Sequence, residues 1–134
     1  MKTVILYKTK KGSTEEYAKI LGKEFSFNVF EFDKFKDFNK YEKFIIMSGV
    51  YAGKIPLVSF LKKNWRKIKN KKITAIVVGM VDKEHIWSKI NYFFIPFWIK
   101  NKIKYFKIMG RNPESKEKVD KKNLNTIMKY LSTY

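Results

Sequence analysis

Five short apolar runs, each bounded by charge, glycine or polar residues, punctuate the chain. They are TVILY (Thr3–Tyr7), FNVFEF (Phe27–Phe32), KFIIMSG (Lys43–Gly49), KITAIVVGM (Lys72–Met80) and IKYFKIMG (Ile103–Gly110). Runs of this length predict strands, and TVILY and KFIIMSG, apolar on successive positions, read as strands buried on both faces. FNVFEF alternates more and reads as a strand at a sheet edge. Between these runs the period lengthens. Tyr17, Ala18, Ile20, Leu21 and Phe25 recur at helical spacing, as do Leu57, Val58, Leu61, Trp65 and Ile68 behind Pro56, a residue suited to a first helical turn. Ile86, Ile90, Phe93 and Phe94 make a third helical face, which Pro96 ends. Leu124, Ile127, Met128 and Leu131 make a closing one. Ser13 followed by Glu16 fits a capping box, and the polar connector after the second strand has room for a turn of helix around Phe38.

Strand and helix thus alternate along the chain, which predicts an α/β protein with a parallel sheet covered on both faces. Right-handed crossovers leave few topologies, and five strands favour the order 2-1-3-4-5 in a three-layer α-β-α arrangement. Neither a repeat nor a linker interrupts residues 1–134, so one domain is expected.

Composition narrows the chemistry. The 134 residues are 45% hydrophobic and 17% aromatic, enough to build a core. With no cysteine and a single histidine, His85, neither a thiolate site nor an imidazole-built metal site is expected. His85 itself reads as structural, and no pair of nucleophile and base or of carboxylates stands out. The net charge of +18 points towards anionic partners. Of the 30 basic residues, however, only Arg66 and Arg111 are arginines, and the lysines are spread along the whole chain. That distribution reads as compositional bias and argues against a nucleic-acid partner. The terminal segment MKTVILYK is too short for a signal peptide, and the stretch Ile86–Ile99 is too short and too interrupted to span a bilayer. A soluble cytoplasmic protein is expected.

Open parallel sheets bind ligands outside the carboxyl ends of their strands, where the strand order reverses. In the order 2-1-3-4-5 that crevice lies between strands one and three. The loops leaving those strands are TKKGST (Thr9–Thr14) and SGVYAG (Ser48–Gly53). In the first, helix-start amides suit an anion, Gly12 permits a tight turn, and Thr9, Ser13 and Thr14 offer hydroxyls. The loop is neither a nucleoside-triphosphate loop nor a G-x-G-x-x-G dinucleotide loop. One glycine among hydroxyls suits a single terminal phosphate.

Thr9-Lys10-Lys11-Gly12-Ser13-Thr14 resembles the flavodoxin phosphate loop, T/S-x-T/S-G-x-T. Lys11 stands where that family usually has a small hydroxyl residue. The resemblance covers nearly the whole chain and implies FMN, with its phosphate in this loop. It also implies ring contacts from Ser48, Gly49, Val50, Tyr51, Ala52 and Gly53, with Tyr51 stacked on the isoalloxazine. Backbone contacts from Gly79, Met80, Val81 and Asp82, after the fourth strand, would complete the site. Trp87 reads as core.

ILYKTKKGSTEEYAKIL and SGVYAGKIPLVSFLKKN also look similar to the flavodoxin-like branch that includes menaquinone-dependent protoporphyrinogen oxidase. The leading expectation is an FMN-binding protein carrying electrons through its flavin, with a redox partner protein of acidic character. The alternatives are a quinone-linked oxidase of that branch and a flavin-free basic module for an anionic surface or nucleic acid. Tyr92, Phe93, Phe94, Phe97 and Trp98 beside Lys100, Lys102 and Lys104 raise a peripheral contact with an anionic membrane. A phosphoacceptor receiver domain is excluded, because its acidic positions here read Lys8-Thr9-Lys10 and Ser48-Gly49.

Overall fold

Apolar runs that are continuous and not alternating have two faces to bury, and the sheet gives both to the central strands. The computed structural model describes residues 2–8, 12–49, 56–79, 97–109 and 124–134. Its strands are β1 (Thr3–Lys8), β2 (Asn28–Glu31), β3 (Lys43–Gly49), β4 (Lys72–Gly79) and β5 (Ile103–Met109). All neighbours pair in parallel, in the order β2-β1-β3-β4-β5. The helices are α1 (Ser13–Phe25), α2 (Pro56–Ile68), the short α3 (Phe97–Lys100) and α4 (Asn125–Leu131). The helical face expected over Ile86–Phe94 lies outside the described residues.

Successive strand residues divide between two cores. Ile5, Tyr7, Ile45, Met47, Ile76 and Val78 meet Tyr17, Ala18 and Leu21 of α1 and Ile127 and Leu131 of α4. Val4, Leu6, Phe44, Ile46, Ala75 and Val77 meet Leu57, Phe60, Leu61 and Ile68 of α2, with Ile99 of α3. Each fully buried aliphatic side chain contributes roughly 1.5–3 kcal/mol relative to exposure, so both layers are held by their apolar stripes. The expected faces of α1, α2 and α4 turn towards the cores, with Ile20, Phe25, Val58, Trp65 and Met128 half-buried at their margins. Phe60 and Asn64 join the stripe of α2, the amide of Asn64 donating to the Phe60 carbonyl one turn back at 3.1 Å.

The second strand is shorter than its run. Phe32 leaves the sheet and begins a 3-10 turn (Phe32–Lys34), and a second turn follows at Phe38–Lys40. The connector therefore holds the turn expected around Phe38 and one more. Its aromatics pull it inward. Phe35 packs edge-on to Phe38 (5.1 Å between centroids) and to Phe44 (6.2 Å), and Phe32 lies 4.5 Å from Phe60.

Helix α1 begins one residue away from the expected capping box. Gly12 holds the cap position with φ 92°, and no side chain caps it; its carbonyl accepts the Glu16 amide at 3.0 Å. Ser13 is therefore inside the first turn, because only glycine enters the left-handed cap conformation without a steric cost. At the far end the chain folds back tightly from α1 into β2. A Cβ on Gly22 would stand 2.5 Å from Cγ2 of Val29 and 3.1 Å from the Phe27 carbonyl oxygen. Alanine is the better helix former by about 1 kcal/mol, but overpacking costs about 1–3 kcal/mol. Gly22→Ala should therefore lower stability by about 1 kcal/mol in urea unfolding; a gain would show that β2 yields freely.

The lower edge of the sheet is closed by Tyr134, whose hydroxyl accepts from Thr74 Oγ1 at 3.1 Å. Burial pushes that phenol up to about 12, and the Lys72 ammonium lies 4.3 Å from its ring centre. Among the described residues no helix is long and apolar enough to cross a membrane.

Candidate functional site

Parallel register brings the carboxyl ends of the three central strands to one level. Lys8 of β1 is paired with Ser48 of β3, Ser48 with Val77 of β4, and Gly49 with Val78, so Gly79 lies one residue further on. The strand order reverses between β1 and β3. The ends of both strands, and the start of α1 just beyond β1, thus border the crevice where such sheets hold ligands.

Of the residues expected at a phosphate, Gly12, Ser13 and Thr14 open α1 directly above β1. The left-handed Gly12 turns the chain into the helix without a side chain in the way. The amides of a helix's first turn have no acceptor within the helix and carry the positive end of its dipole. Ser13 is partly exposed, whereas Thr14 is only 1% exposed. Thr9, Lys10 and Lys11 lie outside the described residues.

The same helix start carries acidic residues. Glu15 is held by Lys19 at 3.1 Å and accepts the Tyr7 hydroxyl at 3.2 Å. The Lys19 hydrogen bond holds the Glu15 carboxyl below its ordinary range, while burial first, and Glu15 second, push the Tyr7 hydroxyl up. Lysine thus compensates a negative charge that would otherwise oppose an anion at this helix end.

At the second loop, Ser48 and Gly49 end β3 and are buried. The Ser48 hydroxyl is engaged by the chain itself: Oγ accepts the Leu57 amide of α2 at 3.1 Å and donates to the Gly49 carbonyl at 3.3 Å. Ser48 therefore ties the end of β3 to the first turn of α2 and satisfies one of that helix's amides. The sequence signal for this was the spacing between a strand-ending serine and Pro56, which says nothing of distance in space. Val50, Tyr51, Ala52 and Gly53 lie outside the described residues, as do Met80, Val81, Asp82, His85 and Trp87; Gly79 closes β4 at the same sheet edge. Among the described residues no group of acidic or histidine side chains could hold a metal ion.

A second concavity was not anticipated. A cleft of about 1010 Å³ runs between the 3-10 connector and α2, on the α2 side of the sheet. Lys8 and Pro56 form its end nearest the crevice. The strand-order reversal, and not cleft size, marks the candidate site, because sheets of this kind hold ligands there.

A doubly wound α/β protein whose candidate site lies at its strand-order reversal is thus defined. The flavodoxin domain family model matches residues 4–131, and the chain belongs to that family. Its fold is similar to a flavodoxin from the domain Archaea, at 15% identity and a TM-score of 0.61, covering 96% of this chain and 92% of that one. It is also similar to a short-chain flavodoxin associated with a PDU bacterial microcompartment, at 17% identity and a TM-score of 0.68, covering 99% and 98%. No curated protein matches the chain at a significant level. These likenesses name flavodoxins; the protoporphyrinogen oxidase branch finds no support among them. Membership implies a flavin as the cofactor.

Proposed function

We propose that the protein binds FMN and carries electrons between partner proteins. The observation that carries this reading is Gly12. It stands in the left-handed region at the opening of α1, beside the strand-order reversal, with the hydroxyl residues Ser13 and Thr14 following it. Glycine, helix-start amides and hydroxyls are the donor set a phosphate monoester needs, and they fit the group. Gly49 and Gly79, one residue out of register with each other at the carboxyl ends of β3 and β4, would admit the ring system close to backbone. Tyr51 would cover it. Bound FMN supplies the redox chemistry, accepting and releasing electrons at its ring system. The chain's own residues anchor the phosphate, hold the ring and limit water around it.

A carrier needs no substrate pocket of its own, and none of the sequence motifs calls for one. A quinone-linked oxidase remains the second reading, resting on the sequence resemblance alone, and a peripheral membrane contact would accompany it. The purified protein, or the apoprotein given FMN, should show flavin absorption with quenched fluorescence and a one-to-one titration. An unchanged FMN spectrum and no heat in calorimetry would overturn the assignment. Reduction by a porphyrinogen and reoxidation by a quinone would select the oxidase instead.

A further inference from the structure

The cleft beside α2 has a charge that the fold does not use. Five lysines line it (Lys8, Lys36, Lys62, Lys63 and Lys67) against one carboxylate, Asp33. Asp33 is already paired with Lys8. Lys67 lies over the Phe38 ring at 5.1 Å. Lys36, Lys62 and Lys63 are exposed and meet no carboxylate among the described residues. Lys19, Lys34 and Lys40 each have a carboxylate within 4 Å; what sets the cleft apart is that its lysines line one concave wall. Like charges on one wall repel one another, so an anionic occupant relieves that repulsion as well as gaining its own attraction.

We propose that this cleft is a docking groove for an acidic segment of a partner protein. Its shape and lining choose among anionic partners. A bilayer is flat and takes side chains presented outward, whereas this lining is concave and the exposed large apolar residues among those described, Phe30 and Trp98, are not part of it. Single-stranded nucleic acid needs rings on which bases can stack. The cleft's Phe32, Phe35, Phe38 and Phe60 are only 7–8% exposed and form its floor. Lysines above such a floor suit carboxylates on a chain that also buries a few apolar side chains, which partly exposed Val58 and Pro56 can receive. Lys8 and Pro56 at one end place a docked partner beside the crevice. That adjacency gives the groove its use in electron transfer and rests on the FMN reading above; binding in the groove does not.

The probe is a fluorescein-labelled decaglutamate peptide, followed by anisotropy at low salt, with and without FMN. The double substitution Lys62→Glu and Lys63→Glu should weaken binding by about tenfold or more. The pair Lys23→Glu and Lys129→Glu, exposed on α1 and α4 of the opposite layer, makes the same change in net charge and should weaken it less than about twofold. Circular dichroism checks folding, and glutamine versions of both pairs serve if either glutamate pair fails to fold. Equal losses in the two pairs, or no peptide binding by the parent, would overturn the groove. So would tighter binding of oligothymidylate or phosphatidylglycerol vesicles with the same dependence on Lys62 and Lys63. Peptide binding without FMN uptake would uphold the groove while refuting the flavin reading, so the two failures are separable.

Discussion

Gly12→Asp should reduce FMN affinity by about 100-fold or more, close to 3 kcal/mol, while folding stability changes little. Two effects act at this position, and they pull apart in the two measurements. Aspartate is a favoured cap for a helix, and its charge complements the positive helix end, worth about 0.5–2 kcal/mol. Against that stands the left-handed backbone at φ 92°, where a side chain costs about 1–2 kcal/mol, less for aspartate and asparagine than for others. Stability therefore nearly balances. Binding does not balance, because the carboxylate occupies the position proposed for a phosphate dianion and repels it. Gly12→Asn supplies the comparison, with nearly the same shape, the same backbone tolerance and no charge. FMN titration should show asparagine within about tenfold of the parent, and aspartate far below it. Equal losses in the two variants would mean that strain, and not charge, is felt there, and the phosphate would have to lie elsewhere.

The largest stability effect is expected at Phe44. Its side chain is fully buried in β3 on the α2 side and meets Phe35, Phe38 and Tyr41 at centroid distances of 6.2, 6.0 and 6.5 Å. Those three rings belong to the connector, which has only two 3-10 turns to order it. Phe44→Ala should cost about 3–5 kcal/mol, a large share of the roughly 5–15 kcal/mol typical of a folded domain. Phe44→Leu, which leaves a smaller void, should cost about half as much. Urea unfolding measures both. A loss below about 1 kcal/mol for alanine would mean that the connector closes over the gap, and that the floor of the basic cleft is softer than its packing indicates.

The aromatic connector also marks the limit of sequence reading. Its aromatics recur at every third position, Phe32, Phe35, Phe38 and Tyr41, a spacing that is neither a strand's nor an α-helix's and so named no face of the sheet for them. Their burial follows from the position of α2, which comes from residues twenty or more places later. Ser48 is a similar case. As a letter in SGVYAG it reads as a loop hydroxyl available to a ligand, yet in space it meets the Leu57 amide. Lys62, Lys63 and Lys67 were visible only as part of an even spread of charge, because helical spacing shows that they share a wall but not what stands across from it.

What the amino-acid order settled alone was local and periodic. Two-face burial marked β1 and β3, short apolar runs marked β4 and β5, helical spacing marked α1, α2 and α4, and alternation with right-handed crossovers led to the order β2-β1-β3-β4-β5. These follow from short-range sterics and from the need to bury apolar area, both of which are written in neighbouring residues. The three-dimensional packing alone settled which groups meet across long separations. It put the helix cap on Gly12 and not Ser13, engaged the Ser48 hydroxyl with α2, and opened a lysine-walled cleft over buried rings. Such pairings depend on distances between elements, and these are fixed only when both cores close on the sheet.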